Sequence, residues 1–438
     1  MTVSATAGDG DSVVPGTKYY VASSGCNDAN SGTSKSTPWC TLSRAMNALS
    51  SLRPDDGILF RCGDSWSGQF NLKNVNGSAG HPVVIGHYSA GAACKLPHQS
   101  YSAVLPTIDG ASTYALGFNA DHNSNVSYLT IDGFDIHDTT MGGIMFNANG
   151  GNMPGVTIEN NLVHHLGNGA CNGCGSPSDP NNYDYDAGIG FNDEVSGYCC
   201  SNVDGVQIIG NTVWDLGGHN TIRIHYDRSP NALVQGNLAG PGCVHNCFDT
   251  KGINGTVTGN IATCYSPAPA ITADGDPAWT ARRGDQCEPN GSGNLTAGYY
   301  TENSSTTVTN PTWIGNIAHD IGLCAQAENS SSHPKFYNNT CYNGLYGAMY
   351  YQTCSNADVE KNLFSNAGNP QIWGSGISTW NYNDNYGIFG EPGGTGNVSV
   401  DPQYTNTSAY NYAPLNSTVN SGWATKGATA YDYLGAVP

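Results

Sequence analysis

Apolar and polar positions alternate in short runs along this chain, with a polar turn after each run. The clearest stretch is Gly218–Asn260, which holds two turns of a repeat back to back. Each begins with an alternating run, Thr221-Ile222-Arg223-Ile224-His225 and then Cys247-Phe248-Asp249-Thr250-Lys251. Each continues to a second run that ends in Gly-Asn, Val234-Gln235-Gly236-Asn237 and then Val257-Thr258-Gly259-Asn260. A strand sends alternate side chains to opposite faces. With Ile222, Ile224, Phe248 and Thr250 inward, Arg223, His225, Asp249 and Lys251 face outward together on adjacent rungs.

The closing Asn recurs at Asn161, Asn211, Asn237, Asn260, Asn316, Asn339, Asn362 and Asn385, at intervals of 50, 26, 23, 56, 23, 23 and 23. Two insertions, Gly167–Tyr198 and Tyr265–Thr296, account for the long intervals. A period of 20–30 residues built of short strands is the mark of a β-solenoid; a β-propeller needs a period nearer ~40. Stacked coils share one core, and the Asn side chains can form a hydrogen-bonded ladder along the stack. The pattern predicts an all-β chain: one right-handed parallel β-helix over about residues 50–400, with an N-terminal helical cap and an irregular C-terminal cover. Residues 1–16 read as a disordered segment and 17–438 as a single domain. Ile222, Ile224, Val234, Phe248, Val257, Ile314, Phe336 and Val359 are the expected inward positions. Near the start, Lys18–Val21, Asp56–Phe60 and Val83–Gly86 read as strands. Thr41–Leu49 has apolar residues at helical spacing behind a Thr cap.

Composition narrows the function. The 438 residues include 57 Gly and 25 Tyr but only 11% charged residues, and the net charge is −19. That balance excludes nucleic acid and anionic membrane as partners and makes any local cluster of Arg and Lys conspicuous. No apolar run approaches the length of a membrane-spanning helix. The first residues, MTVSATAGDGDS, lack the basic and apolar regions of a signal peptide and read as the start of a mature chain. Fifteen cysteines in a Gly/Asn/Ser-rich chain point to disulfides and a secreted protein. Cys26–Cys40, Cys62–Cys94 and Cys264–Cys287 are the expected bridges, by proximity in sequence, and Cys243 and Cys247 share one turn. Cys171-x-x-Cys174 with Cys199-Cys200 fits two disulfides or a zinc knot, the disulfides being favoured in a secreted chain.

Three segments carry a family resemblance: YYVASSGCNDANSGTSKSTPWCTLSRAMNAL, DGILFRCGDSWSGQF and SAGHPVVIGHYSAGA. They resemble the opening of secreted right-handed parallel β-helix proteins of the pectate-lyase-like superfamily. Asp401-Pro402-Gln403-Tyr404, the Asn411–Asn416 turn and Asp432-Tyr433-Leu434-Gly435 resemble the close of the same proteins. That superfamily includes lyases, glycosidases, epimerases and binding proteins, so the resemblance implies the fold and leaves the reaction open.

The reaction has to be read from the outward columns. Stacking the first strand of each coil gives an inner column of Met145, Gly190, Arg223, Asp249, Tyr300, Gln326 and Tyr350. The outer column is Asn147, Asn192, His225, Lys251, Glu302, Glu328 and Gln352. A charged centre with aromatic and amide ends suits a polysaccharide bound by a monomer. A solvated sheet face would explain isolated charges, but less well acidic and basic residues on four consecutive rungs. Tyr300, Gln326, Tyr350, Gln352 and Asn192 are the expected subsite contacts.

Two chemistries compete for the centre. The first is β-elimination from a uronic-acid polymer, in which a base takes the proton α to a neutralised carboxylate. Lyases of the resembled fold use Lys or Arg as base and often Ca²⁺ as neutraliser. That implies Lys251 as base, Arg223 as carboxylate clamp and His225 as auxiliary. Asp186, Asp193 or Glu194 would join Asp249 in holding Ca²⁺. The second is glycoside hydrolysis: Glu302 and Glu328 end matching strands on consecutive rungs, ~5 Å apart, the spacing of a retaining pair. Elimination ranks first here, hydrolysis second, and non-catalytic carbohydrate binding third. The last would need an aromatic groove without a charged centre.

Overall fold

The computed structural model describes residues 11–90, 94–98, 102–121, 124–147, 152–166, 187–192, 203–216, 220–225, 229–243, 246–251, 253–264, 297–302, 310–328, 333–351, 356–365, 372–374, 376–388, 393–406 and 411–416. They divide into two compact units, Met1–Leu233 and Val234–Pro438.

The first unit is built of three stacks of parallel strands. One runs Lys18–Val21, Gly57–Arg61, Val83–Tyr88, Leu129–Asp132, Thr157–Glu159 and Gln207–Ile209. A second runs Ser65–Ser67, Thr107–Asp109, Asp135–His137, Leu162–His164 and Thr212–Val213. The third runs Phe70–Asn71, Leu116–Ala120, Gly142–Asn147, Ala187–Asn192 and Asn220–His225. The chain visits the three stacks in turn, coil after coil, as a parallel β-helix does. Inward side chains stack in columns of like residues, such as Ile58, Ile85, Ile131, Ile158 and Ile208. Isoleucine is itself β-branched, a shape that packs well on a pleated surface. The helix lies at Leu42–Ala48, with Thr41 Oγ1 accepting from Arg44 N at 3.1 Å as the spacing predicts. Of the N-terminal segment, residues 11–16 are described, and Ser12 and Val14 are buried there.

The second unit repeats the plan. Ile253–Thr258, Thr312–Ile314, Lys335–Tyr337, Ala357–Glu360 and Ile377–Asn381 form one parallel stack. Ile317–Glu328 and Thr340–Tyr351 are long enough to serve two stacks each. Their first halves pair with Ile261–Thr263 and Leu363–Ser365, and their second halves with Ala297–Glu302 and Ile372–Gly374.

The Asn ladder exists and is continuous through this unit. The side-chain oxygens of Asn260, Asn316, Asn339, Asn362 and Asn383 each accept the backbone N–H and the side-chain NH₂ of the Asn one coil before, at 2.8–3.1 Å. Asn161 bonds Asn211 in the same way in the first unit. After Asn362 the ladder passes to Asn383, not Asn385, a step of 21 residues that counting by 23 overshoots, and Asn397 Oδ1 in turn accepts Asn383 N at 2.9 Å. A left-handed residue precedes each ladder Asn, Gly where the chain supplies one and otherwise Asn160, Asn338, Lys361 or Tyr382.

The inward positions are buried as the alternation predicts, with one exception. Ile314 is half-buried and Trp313 takes the inward place, in register with Val257, Phe336, Val359 and Trp380. Both residues are apolar, so the pattern alone does not choose between them.

Cys26–Cys40 and Cys62–Cys94 are disulfides as expected, and Cys243 bonds Cys247 across its turn. Cys264 is in a disulfide, and Cys287 lies outside the described residues. Cys324–Cys341 is a further bridge that sequence proximity did not pick out; it joins the second half of Ile317–Glu328 to the first half of Thr340–Tyr351. Cys171, Cys174, Cys199 and Cys200 lie outside the described residues, as do most of both insertions. Among the described residues, no helix is long and apolar enough to cross a membrane.

Candidate active site

The second unit gathers the candidate carboxylates. Ala297–Glu302 and Ile317–Glu328 pair in parallel so that Tyr300 faces Gln326 and Glu302 faces Glu328. Asp249 is in register with Tyr300 on one side, and Tyr350 with Gln326 on the other. The inner column is therefore built as the alternation predicts, and Tyr350 also packs on the Ala297, Tyr300 and Leu323 cluster.

Hydrogen bonds tie these side chains into one group. The Tyr300 hydroxyl lies 2.7 Å from Glu302 Oε2 and 3.4 Å from Glu328 Oε2. Two oxygens so close to one phenol are at most about 6 Å apart, near the separation of a retaining pair. Lys251 Nζ donates to Glu302 Oε1 at 2.5 Å, and Gln326 Nε2 donates to Glu328 Oε1 at 2.6 Å. Glu302 thus has a cation and a phenol, whereas Glu328 has an amide and the same phenol. Lys251 and Glu302 are about a fifth exposed, enough to be reached by a bound ligand. Burial, then the charges of Glu302 and Asp249, push the Tyr300 phenol far above its ordinary range, so it stays a donor. Tyr300, an expected subsite contact, bonds both acids through its hydroxyl. The signal was present in Tyr300-x-Glu302, which puts both side chains on one face.

Asp249 is 1% exposed, and its Oδ1 accepts from Lys251 N at 3.4 Å. Asp186, Asp193 and Glu194, its expected partners in holding Ca²⁺, lie outside the described residues, as does Gln352. Among the described residues, Asp249 is the one member of that expected set.

The first unit holds the other candidates. Arg223 and His225 are in register with Gly190 and Asn192, and Asn192 with Asn147. Arg223 is 1% exposed and His225 is also buried, so neither is the open groove-floor residue the alternation alone implies. Arg223 Nη2 lies 2.6 Å from His225 Nδ1. A guanidinium only donates, so Nδ1 accepts and the ring proton of a neutral His225 sits on Nε2. A separate grouping, Asp109 with His137 and Asp138, occupies another face of this unit and has no counterpart among the expected residues.

No family model matches the chain. Over 74 residues it is 38% identical to a lacto-N-biosidase of Bifidobacterium longum; the match takes in 17% of this chain and 5% of that enzyme. Among solved structures it is similar to a lacto-N-biosidase of Eubacterium ramulus, at 12% identity and a TM-score of 0.52, over 87% of this chain and 68% of that one. It is also similar to a rhamnogalacturonan lyase, at 11% identity and a TM-score of 0.51, over 89% and 91% of the two chains. These likenesses and the coil-by-coil topology show a parallel β-helix fold.

Proposed function

We propose that this protein is a secreted carbohydrate-active enzyme that hydrolyses a glycosidic bond by the retaining route, with Glu302 as nucleophile and Glu328 as acid and base. The observation that carries this reading is the pair of carboxylates in register on adjacent strands, reached by one Tyr300 hydroxyl. Glu302 attacks the anomeric carbon while the C–O bond to the leaving group breaks and Glu328 gives its proton to the departing oxygen. Glu328 then takes a proton from water, the hydroxide attacks the anomeric carbon, and Glu302 leaves. Lys251 balances the charge of Glu302, and Tyr300 holds both acids at their spacing. Gln326 and Tyr350, half-buried beside the acids, would meet sugar hydroxyls or a sugar face.

The short likeness to a lacto-N-biosidase also favours hydrolysis. Elimination would need Lys251 as a free base, but its ammonium is engaged with Glu302. The experiment is incubation with a panel of neutral glycans and uronic-acid polymers, reading reducing ends and ultraviolet absorbance together. New reducing ends without a chromophore support hydrolysis. A chromophore on a uronic-acid polymer means β-elimination and overturns the proposal.

A further inference from the structure

Asp109, His137 and Asp138 each offer one donor atom, and the three atoms lie within 4.8 Å of one another. We propose that they form a site for a divalent transition-metal ion, separate from the carboxylate pair. One imidazole nitrogen and two carboxylates suit a borderline ion such as Zn²⁺, and two negative charges balance its charge. Three protein ligands leave a position for water.

The site is held in place from several sides. Asp109 and His137 are backbone partners on adjacent parallel strands. Asp109 Oδ1 accepts from Ala111 N at 2.7 Å, which orients the carboxylate. The His137 ring stacks on His164 with centroids 5.2 Å apart. Asp138 sits in the left-handed region at φ 54, with its N–H on His165 O and its C=O accepting from Ser112 N. His137 Nδ1 and Asp138 Oδ2 are 2.9 Å apart, a contact that binding would replace or reinforce.

The second unit supplies an internal comparison. His319 and Asp320 repeat the same contact, Nδ1 to Oδ2 at 2.9 Å, again with the Asp left-handed at φ 48. The His–Asp contact is therefore a product of the coil's turn and does not by itself imply a ligand. What differs is the preceding rung. The backbone partner of His137 there is Asp109, whereas that of His319 is Thr263. Access differs too: the His137 side chain is 23% exposed and that of His319 is 0%. Among the described residues, the first of the two pairs has a third ligand beside it and a partly exposed histidine.

The test is calorimetric titration of the full-length oxidised protein with ZnCl₂, alongside Asp138→Asn, His137→Gln and Asp320→Asn. Asn tolerates the left-handed backbone, so Asp138→Asn changes the donor and not the turn. Wild type and Asp320→Asn should bind one Zn²⁺ more than either site variant. Co²⁺ should give the wild type a visible d–d band that both site variants lack. Zn²⁺ should also raise the thermal midpoint of the wild type but not of Asp138→Asn, a readout independent of any catalytic assay. Equal stoichiometry and equal spectra in wild type and Asp138→Asn would overturn the site.

Discussion

Replacing Asn316 by Ala takes out one rung of the ladder, and the structure says what is lost. Asn316 is fully buried. Its side-chain oxygen accepts from Asn260 N at 3.0 Å and Asn260 Nδ2 at 2.9 Å. Its Nδ2 donates to Val257 O at 2.8 Å and Asn339 Oδ1 at 3.0 Å. Alanine keeps none of these four bonds. A typical bond contributes about 1 kcal/mol net, and each buried group left without a partner costs about 1–3 kcal/mol. Asn339 Oδ1 keeps Asn316 N, so the groups truly stranded are the Asn260 donors and, in part, Val257 O. The expected loss is therefore about 4 kcal/mol, a large share of the ~5–15 kcal/mol that holds a domain together. Urea unfolding followed by far-ultraviolet circular dichroism measures it. Because most of the cost lies in stranded partners, Asn260→Ala with Asn316→Ala should cost less than the sum of the two single changes. A loss under about 1 kcal/mol for Asn316→Ala, or strict additivity in the double variant, would refute this view of the ladder.

The other predictions concern the core, pH and the site. Trp313→Ala should cost about 3–5 kcal/mol and Ile314→Ala far less, since Trp313 is inward; equal losses in urea unfolding would show the parity to be wrong. Asp384 is buried, and burial, helped by Asp401 and opposed by the Val400 amide, raises its carboxyl from 3.8 to about 7. The folded chain thus keeps that proton longer than the unfolded one, so its contribution is complete below about pH 4 and is lost as the pH rises through about 7. Asp384→Asn should flatten the stability profile over that window, and an unchanged slope would contradict the assignment. Glu302→Gln and Glu328→Gln should each lower kcat by roughly 10³-fold, and Lys251→Ala by about tenfold, with steady-state kinetics on the substrate found as the check. Loss of all turnover in Lys251→Ala with an active Glu328→Gln would return the site to the elimination reading.

The coil period, the ladder and both outward columns within each unit were legible because strand alternation and the recurring Asn are local signals. Tyr300, Gln326 and Tyr350 fell into register by counting alone, and so did Glu302 and Glu328. What was not legible needed distances between coils. Trp313 and Ile314 are both apolar, so alternation could not choose between them. The Asp109–His137 neighbours depend on register across a full coil, and the Cys324–Cys341 bridge on how two long strands lie side by side. Burial of Arg223 and Asp249 was equally hidden, since a side chain that points away from the core can still be covered.

The central claim, two carboxylates acting as a retaining pair, is tested most directly by the anomeric configuration of the first product. Once the panel has yielded a cleaved glycan, proton NMR of the reaction in its first minutes reads that configuration before mutarotation. Retention of the substrate's anomeric configuration is the predicted result. Inversion would deny Glu302 the role of nucleophile, and an unsaturated uronic acid in place of a free sugar would contradict hydrolysis altogether.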